Sequence, residues 1–258
     1  MAVRGRRAWR LVGVAAVLTL AWHAVLFATS DLLPPLAPSW FPGLGAFVVN
    51  LAAACVPLAV VVRRCWWHSA AVAWRRPDRS WLLVLPMLLL IVPDAVTGVR
   101  GTVLALVSSA LVMAAVGVSE ELLSRGVVQR IVTPLGSAWG AVAVAALFGL
   151  GHALSGVWFG RGLGDTAFQV VQVGIWGFAM AALRWHLGTI WPLAALHALD
   201  DWFQINSPGR NSDLVQLAAA LGEIAYGVVL LRLLAARRAL AGDGRLAGRW
   251  PIEARRRR

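Results

Sequence analysis

The sequence is poor in charge, and poorest in acids. Only 14% of its 258 residues are charged, and just 12 are Asp or Glu; it has no lysine, so all 24 basic residues are arginine. It is 59% hydrophobic before its 25 glycines are added, against roughly 45–50% with glycine included in a soluble globular domain. An ordinary cytosolic protein is excluded. The 2 cysteines, Cys55 and Cys65, lie in or beside an apolar run with no CxxC pair, which excludes a disulfide framework and a zinc finger. The apolar runs also lack the alternation, over segments of about ten residues, that marks a membrane β-barrel. No stretch between them leaves room for a soluble domain, and no internal repeat is visible.

What is present is a series of long apolar runs. A membrane span needs about 20 mostly apolar residues, since a helix rises 1.5 Å per residue through a hydrocarbon core about 30 Å thick. Stretches near 9–29, 43–63, 81–99, 103–130, 137–155, 165–185, 188–206 and 212–236 have this length or nearly so. Turn residues separate them, among them Pro34, Pro35, Pro38 and Pro42, then Pro134 and Gly136, then Gly160, Gly162 and Gly164, then Pro208 and Gly209. The expected fold is all-α: a polytopic transmembrane helical bundle of about eight spans. It forms a single integral-membrane domain over 1–258, with a basic tail over about 237–258.

The arginines orient the bundle. With the N-terminus inside, one side collects Arg4, Arg6, Arg7 and Arg10, then Arg63, Arg64, Arg75, Arg76 and Arg79, then Arg125, Arg130 and Arg184, and the arginines of the tail. Arg100, Arg161 and Arg210 remain for the other side. Positive charge accumulates on the cytoplasmic side of membrane proteins, so both termini are expected in the cytoplasm of a multi-pass cell-membrane protein. The first run is too long for a signal-peptide core and is read as a span. The net charge of +12 would point to nucleic acid in a soluble protein. Here it reports topology: anionic lipid is the partner expected for the arginine-rich loops and tail, and no nucleic acid is expected. The segment Cys65-Trp66-Trp67-His68 with Trp74-Arg75-Arg76 suits the headgroup level.

Ionisable groups inside spans are costly, so each is a candidate functional residue. Three clusters qualify: Glu120-Glu121-Leu122-Leu123-Ser124-Arg125, Phe148-Gly149-Leu150-Gly151-His152, and His197-Ala198-Leu199-Asp200-Asp201. Counting helical rise from Arg130, Ser137 and Gly188 puts Glu120 about 15 Å deep, His152 about 22 Å, His197 about 14 Å and Asp201 about 20 Å. The groups can therefore converge from three helices in a cavity reached from the cytoplasmic side. At i,i+4 spacing Glu121 faces Arg125 and His197 faces Asp201. Glu120 points about 100° away from Glu121, so one glutamate can face the cavity while arginine neutralises the other. Asp200 faces away from His197 and is read as a supporting residue.

These clusters resemble the three signature motifs of the CAAX-protease and bacteriocin-processing (CPBP) intramembrane endopeptidases. They match as EExxxR (Glu120, Glu121, Arg125), FxxxH (Phe148, His152) and HxxxD (His197, Asp201), in the family's order, within about 103–206. The family often has an aromatic residue where Ser124 stands, and asparagine where Asp201 stands. The resemblance implies an endopeptidase cutting a peptide or protein, one that can be membrane-anchored, near the cytoplasmic membrane face. In that reading Glu120 activates water and His152 helps hold it, His197 and Asp201 stabilise the oxyanion or position the substrate, and Glu121 and Arg125 brace the site. Glu120, His152 and His197 could also ligate zinc as a two-histidine, one-carboxylate set, but without HExxH the sequence does not demand a metal.

Other readings use the same residues differently. Glu121–Arg125 can be a purely structural ion pair, and His197 with Asp201 a helix-packing hydrogen bond. A non-catalytic membrane scaffold or a bacteriocin self-immunity protein would keep the fold for partner binding. A proton-coupled transporter would use the acids as a relay, but would carry inverted repeats or broken helices. Gly162-Leu163-Gly164-Asp165 reads as the GxGD of aspartyl intramembrane proteases, but it has no second aspartate motif and sits in a predicted turn. No rhomboid-type GxSG is found. His23, His68 and His186 are read as packing or interfacial groups, and Asp94 and Glu223 have no evident partner.

Overall fold

The apolar runs fold as helices because a chain in hydrocarbon must satisfy its own backbone N–H and C=O groups. A computed structural model describes residues 2–33, 36–209 and 211–240, and all regular structure among them is helical. Along the chain come α1 (Ala2–Leu32), α2 (Leu44–Arg64), a 3-10 turn (Arg79–Val84) leading into α3 (Leu85–Val96), and α4 (Val103–Glu121). A π-helical segment (Leu122–Val128) joins α4 without a break to α5 (Gln129–Val132). There follow α6 (Ser137–Trp158), α7 (Leu163–Leu187), α8 (Trp191–Asn206) and α9 (Asp213–Leu240). The basic tail lies, from residue 241 on, outside the described residues, as do Pro34, Pro35 and Arg210.

Seven helical stretches among the described residues are long and apolar enough to cross a membrane. The run expected at 188–206 is α8, whose 16 residues cover about 24 Å. Short as it is, α8 joins the two loop layers of the bundle. At its start, Ile190 N–H donates to Ala71 O at 2.9 Å and Trp191 Nε1 to Val72 O at 2.9 Å, both on the α2–α3 connection. At its end, Arg100 N–H of the α3–α4 connection donates to Asn206 O at 2.8 Å, and Ser207 Oγ donates to Asp94 O at 2.8 Å. One layer thus holds the 65–78 connection and the turns at 133–136 and 188–190, and the opposite layer holds 97–102, 159–162, 207–209 and 211–212.

In the first layer Trp67 and Trp74 are exposed while Ala70, Ala71 and Val72 are buried. The Arg130 guanidinium sits 5.4 Å from the Trp66 ring centroid. Asp78 caps the 3-10 turn: Ser80 donates to it through its hydroxyl and its backbone N–H, which holds the Asp78 carboxyl below the usual carboxylate range. Arg184, counted from the sequence with the inner-side charges, belongs to the last turn of α7 and is fully buried.

Packing is by close approach of helices at small residues. The α6 helix runs along α7, α4 along α8, α7 along α9, and α1 along α2 and α6. At Gly117 a Cβ would lie 2.6 Å from Ala194 O of α8, and at Gly149 it would lie 2.6 Å from Val170 O of α7. Such contacts replace the hydrophobic drive that lipid cannot supply between helices. Outward side chains such as Val17, Leu89 and Leu217 remain exposed and apolar, as a lipid-facing surface requires.

Gly117→Val is expected to force α4 from α8 and destabilise the protein by about 1–3 kcal/mol. Gly164→Ala, where a Cβ meets nothing within 4 Å, should be neutral or slightly stabilising, since alanine is the better helix former. Thermal unfolding in detergent, comparing the two variants, checks both signs.

Candidate active site

The three polar clusters come together between α4, α6, α7 and α8. Glu120 and Glu121 close α4 where the ladder widens into the π-helical segment, and such widened turns recur at functional sites. The Ser124 hydroxyl donates back to Glu120 O within this turn. Adjacent on the helix, the two glutamates diverge. Glu121 is fully buried; Glu120 keeps 16% of its side chain exposed and lines a cavity.

Glu121 is held from two sides. Arg125 Nη1 donates to Glu121 Oε1 at 2.6 Å, and His197 Nδ1 lies 3.0 Å from the same oxygen. Arg125 is itself completely buried. Its Nη1 also donates to Ser124 Oγ at 3.0 Å and its Nη2 to Gly177 O of α7 at 3.3 Å. The guanidinium lies 4.3 Å from the Phe148 ring centroid and 5.1 Å from that of Trp176, so aromatic faces supply part of the solvation that burial removes.

His197 is the hub. With Nδ1 given to Glu121, its Nε2 lies 3.5 Å from Asp201 Oδ2 and 3.8 Å from Glu120 Oε2. The ring packs edge-on to Trp176, with centroids 4.7 Å apart, and to Phe148 at 6.1 Å. His152 Nδ1 lies 2.9 Å from Phe148 O, one turn back on α6. A carbonyl only accepts, so Nδ1 carries a proton and Nε2 is the nitrogen free to face the cavity. The FxxxH spacing thus has two uses: Phe148 orients His152 through its backbone and covers Arg125 with its ring.

A cavity of about 780 Å³ borders Glu120, His152, His197, Asp200 and Asp201. A second, of about 40 Å³, lies behind it between α1, α4 and α6, bordered by Glu120, His152, His23, Thr19, Ser124 and Ser155. It is large enough, and polar enough, to hold water. Glu120 and His152 face both spaces.

Access differs from the expectation. The sequence depths predicted entry from the arginine-rich side, yet the large cavity is bordered by Arg161, Ser207, Pro208, Gly209 and Asn211, all of the opposite layer. Among the described residues, none of the 65–78, 133–136 or 188–190 connections borders it. His152 and Asp201 lie within two turns of the distal ends of α6 and α8, so the cavity they border opens toward that layer.

Zinc binding by Glu120, His152 and His197 does not fit this arrangement. Among the described residues no group of three His, Cys, Asp or Glu side chains is disposed to hold a metal ion, and both nitrogens of His197 face carboxylates. Asp165 of the GxGD sequence lies in the first turn of α7 and does not border the large cavity.

Some participants were not legible in the sequence. Trp176 packs on Arg125 and His197 but looks like any apolar helix residue. His23, read as a packing group, donates from Nδ1 to Thr19 O at 2.8 Å and also borders the small cavity. Asp200 and Glu223 border the large one, and only their rarity within spans could have singled them out.

Residues 102–203 match the family model described as Rce1-like, type II CAAX prenyl endopeptidase. No curated protein sequence and no solved structure matches the chain.

Arg125→Ala leaves Glu121 and its buried site short of a cation and is expected to cost about 3–5 kcal/mol of stability. Adding Glu121→Gln to Arg125→Ala should recover part of that loss. Unfolding midpoints of the single and double variants in detergent provide the check, and a double variant no better than the single one would contradict the pairing.

Proposed function

We propose, from the match of residues 102–203 to the Rce1-like model of type II CAAX prenyl endopeptidases, that this chain is an intramembrane endopeptidase, with the large cavity as its active site and Glu120 as its general base. The observation that carries this reading is the division of the glutamate pair. Glu121 is consumed by Arg125 and His197, whereas Glu120 stands at the cavity wall, 3.8 Å from His197 Nε2 and beside a space able to hold water.

In this reading a water between Glu120 and His152 attacks the peptide carbonyl carbon and gives its proton to Glu120. His152 Nε2 holds that water, its ring fixed by the bond from Nδ1 to Phe148 O. The carbonyl oxygen becomes an oxyanion next to His197. When His197 carries both protons, Nδ1–H remains with Glu121 and Nε2–H is available to the oxyanion, where a fixed donor stabilises the transition state most. Asp201 positions that ring and the substrate backbone. The C–N bond then breaks, and Glu120 returns its proton to the departing amine. Glu121 and Arg125 act through His197, as positioning residues. No step passes through a metal.

The peptide enters through the mouth formed by 159–162 and 207–211, and a membrane-anchored substrate can present its cleavage site there from the lipid. The arginines of the opposite layer, with the basic tail, would contact anionic headgroups. Under the positive-inside rule that layer is cytoplasmic and both termini lie with it.

Glu120→Gln and His152→Ala are each expected to lower turnover of a membrane-presented reporter peptide by about 10²–10⁴-fold without altering the unfolding midpoint; wild-type turnover in either variant would sink the assignment. Orientation is tested with Cys65, exposed at the end of α2. In a Cys55→Ala background, a membrane-impermeant maleimide should label Cys65 in inverted vesicles and spare it in intact cells, and the reverse pattern would invert the topology.

A further inference from the structure

The proposed chemistry leaves three acids of the large cavity unused: Asp94, Asp200 and Glu223. Asp94, nearest the mouth, is engaged, accepting a hydrogen bond from Asn211 Nδ2 at 2.7 Å. Glu223 is different. It comes from α9, ten residues below the start of that helix at Asp213. Its side chain is only 6% exposed, and its Oε2 is buried without any hydrogen-bond partner. It borders the same cavity as Asp200 of α8, and the two lie within electrostatic reach of one another. Asp200 in turn is next to Asp201 at the reaction centre.

A carboxylate buried at membrane depth is costly unless an opposite charge meets it. Among the described residues, the side chains facing this cavity are unbalanced in that respect: Asp94, Glu120, Asp200, Asp201 and Glu223 are set against one arginine, Arg161 at the mouth, and the histidines of the reaction centre. A cationic group on a ligand would balance these acids. At about 780 Å³ the space is that of an extended peptide segment rather than of a bare ion, and no metal-holding cluster occurs among the described residues.

We propose that Asp200 and Glu223 form a specificity subsite that receives a cationic side chain, arginine or lysine, of the peptide substrate beside the bond that is cut. The subsite rests on the endopeptidase reading above. It selects among peptides by the cost of leaving the buried Glu223, and with it the half-buried Asp200, without a cation when the side chain is neutral. Asp94 extends the same negative lining to the mouth and draws the cationic residue inward.

The test uses the full-length protein in lipid nanodiscs with two peptide libraries that differ at one position, arginine in one and the near-isosteric, neutral citrulline in the other. Wild-type protein is expected to cleave the arginine peptides with kcat/KM about 10-fold or more above the citrulline peptides. Glu223→Gln and Asp200→Asn should each bring that ratio close to one, while Glu223→Asp, which keeps the charge, retains part of it. Equal cleavage of both libraries by wild-type protein overturns the subsite and leaves the endopeptidase reading standing. A ratio that survives in both neutral variants does the same. Cleavage of neither library overturns the endopeptidase reading, and the subsite with it.

Discussion

The site depends on one carboxylate that never reaches the cavity. Glu121 is buried completely, and Arg125 and His197 meet the same one of its oxygens. That contact ties three elements at one point. Arg125 extends from the π-helical segment to the backbone of α7 at Gly177, and His197 arrives from α8. Buried ion pairs are poor sources of net stability, because desolvation offsets most of the attraction. Their value lies in geometry: with Nδ1 committed to Glu121, the His197 ring has one orientation, and its Nε2 has one direction in which to act.

The same contact explains why two adjacent glutamates have opposite surroundings. Successive residues on a helix diverge by about 100°, so the face that satisfies Glu121 cannot satisfy Glu120. Glu120 is left at the wall between a large cavity and a small polar one. Acids then continue along the large cavity through Asp201 and Asp200 to Glu223, while the arginine-rich connections lie at the other end of the bundle.

Much of this could be read from residues in order. Apolar runs long enough to span, broken by Pro and Gly, marked most helices, because hydrocarbon permits few other structures. The i,i+4 spacings of Glu121 with Arg125 and of His197 with Asp201 also survive in three dimensions. What escaped depended on contacts between distant segments. Arg184 counts in the sequence only as an inner-side charge, because its burial in the last turn of α7 has no local signature. The sequence predicted a full span at 188–206, whereas the helix is 16 residues and reaches across by hydrogen bonds to Ala71, Val72 and Arg100. Counting depth from Gly188 along a standard helix could not say on which side the cavity opens. Trp176 is invisible because only the folded α7 brings it against Arg125.

The π-helical turn at Leu122–Val128 has an evolutionary reading as well as a mechanical one. A wide turn of this kind amounts to one residue more than an α-helix of the same length would use. Loss of a single codon within it could restore a regular helix and keep every hydrophobic residue, yet it would turn the glutamates about 100° relative to α5 and the segments after it. Fold and hydropathy would survive such a deletion while the active-site register would not. Membrane insertion and the orientation of the two glutamates are therefore encoded separately in this stretch, and a descendant that lost the second could still retain the first.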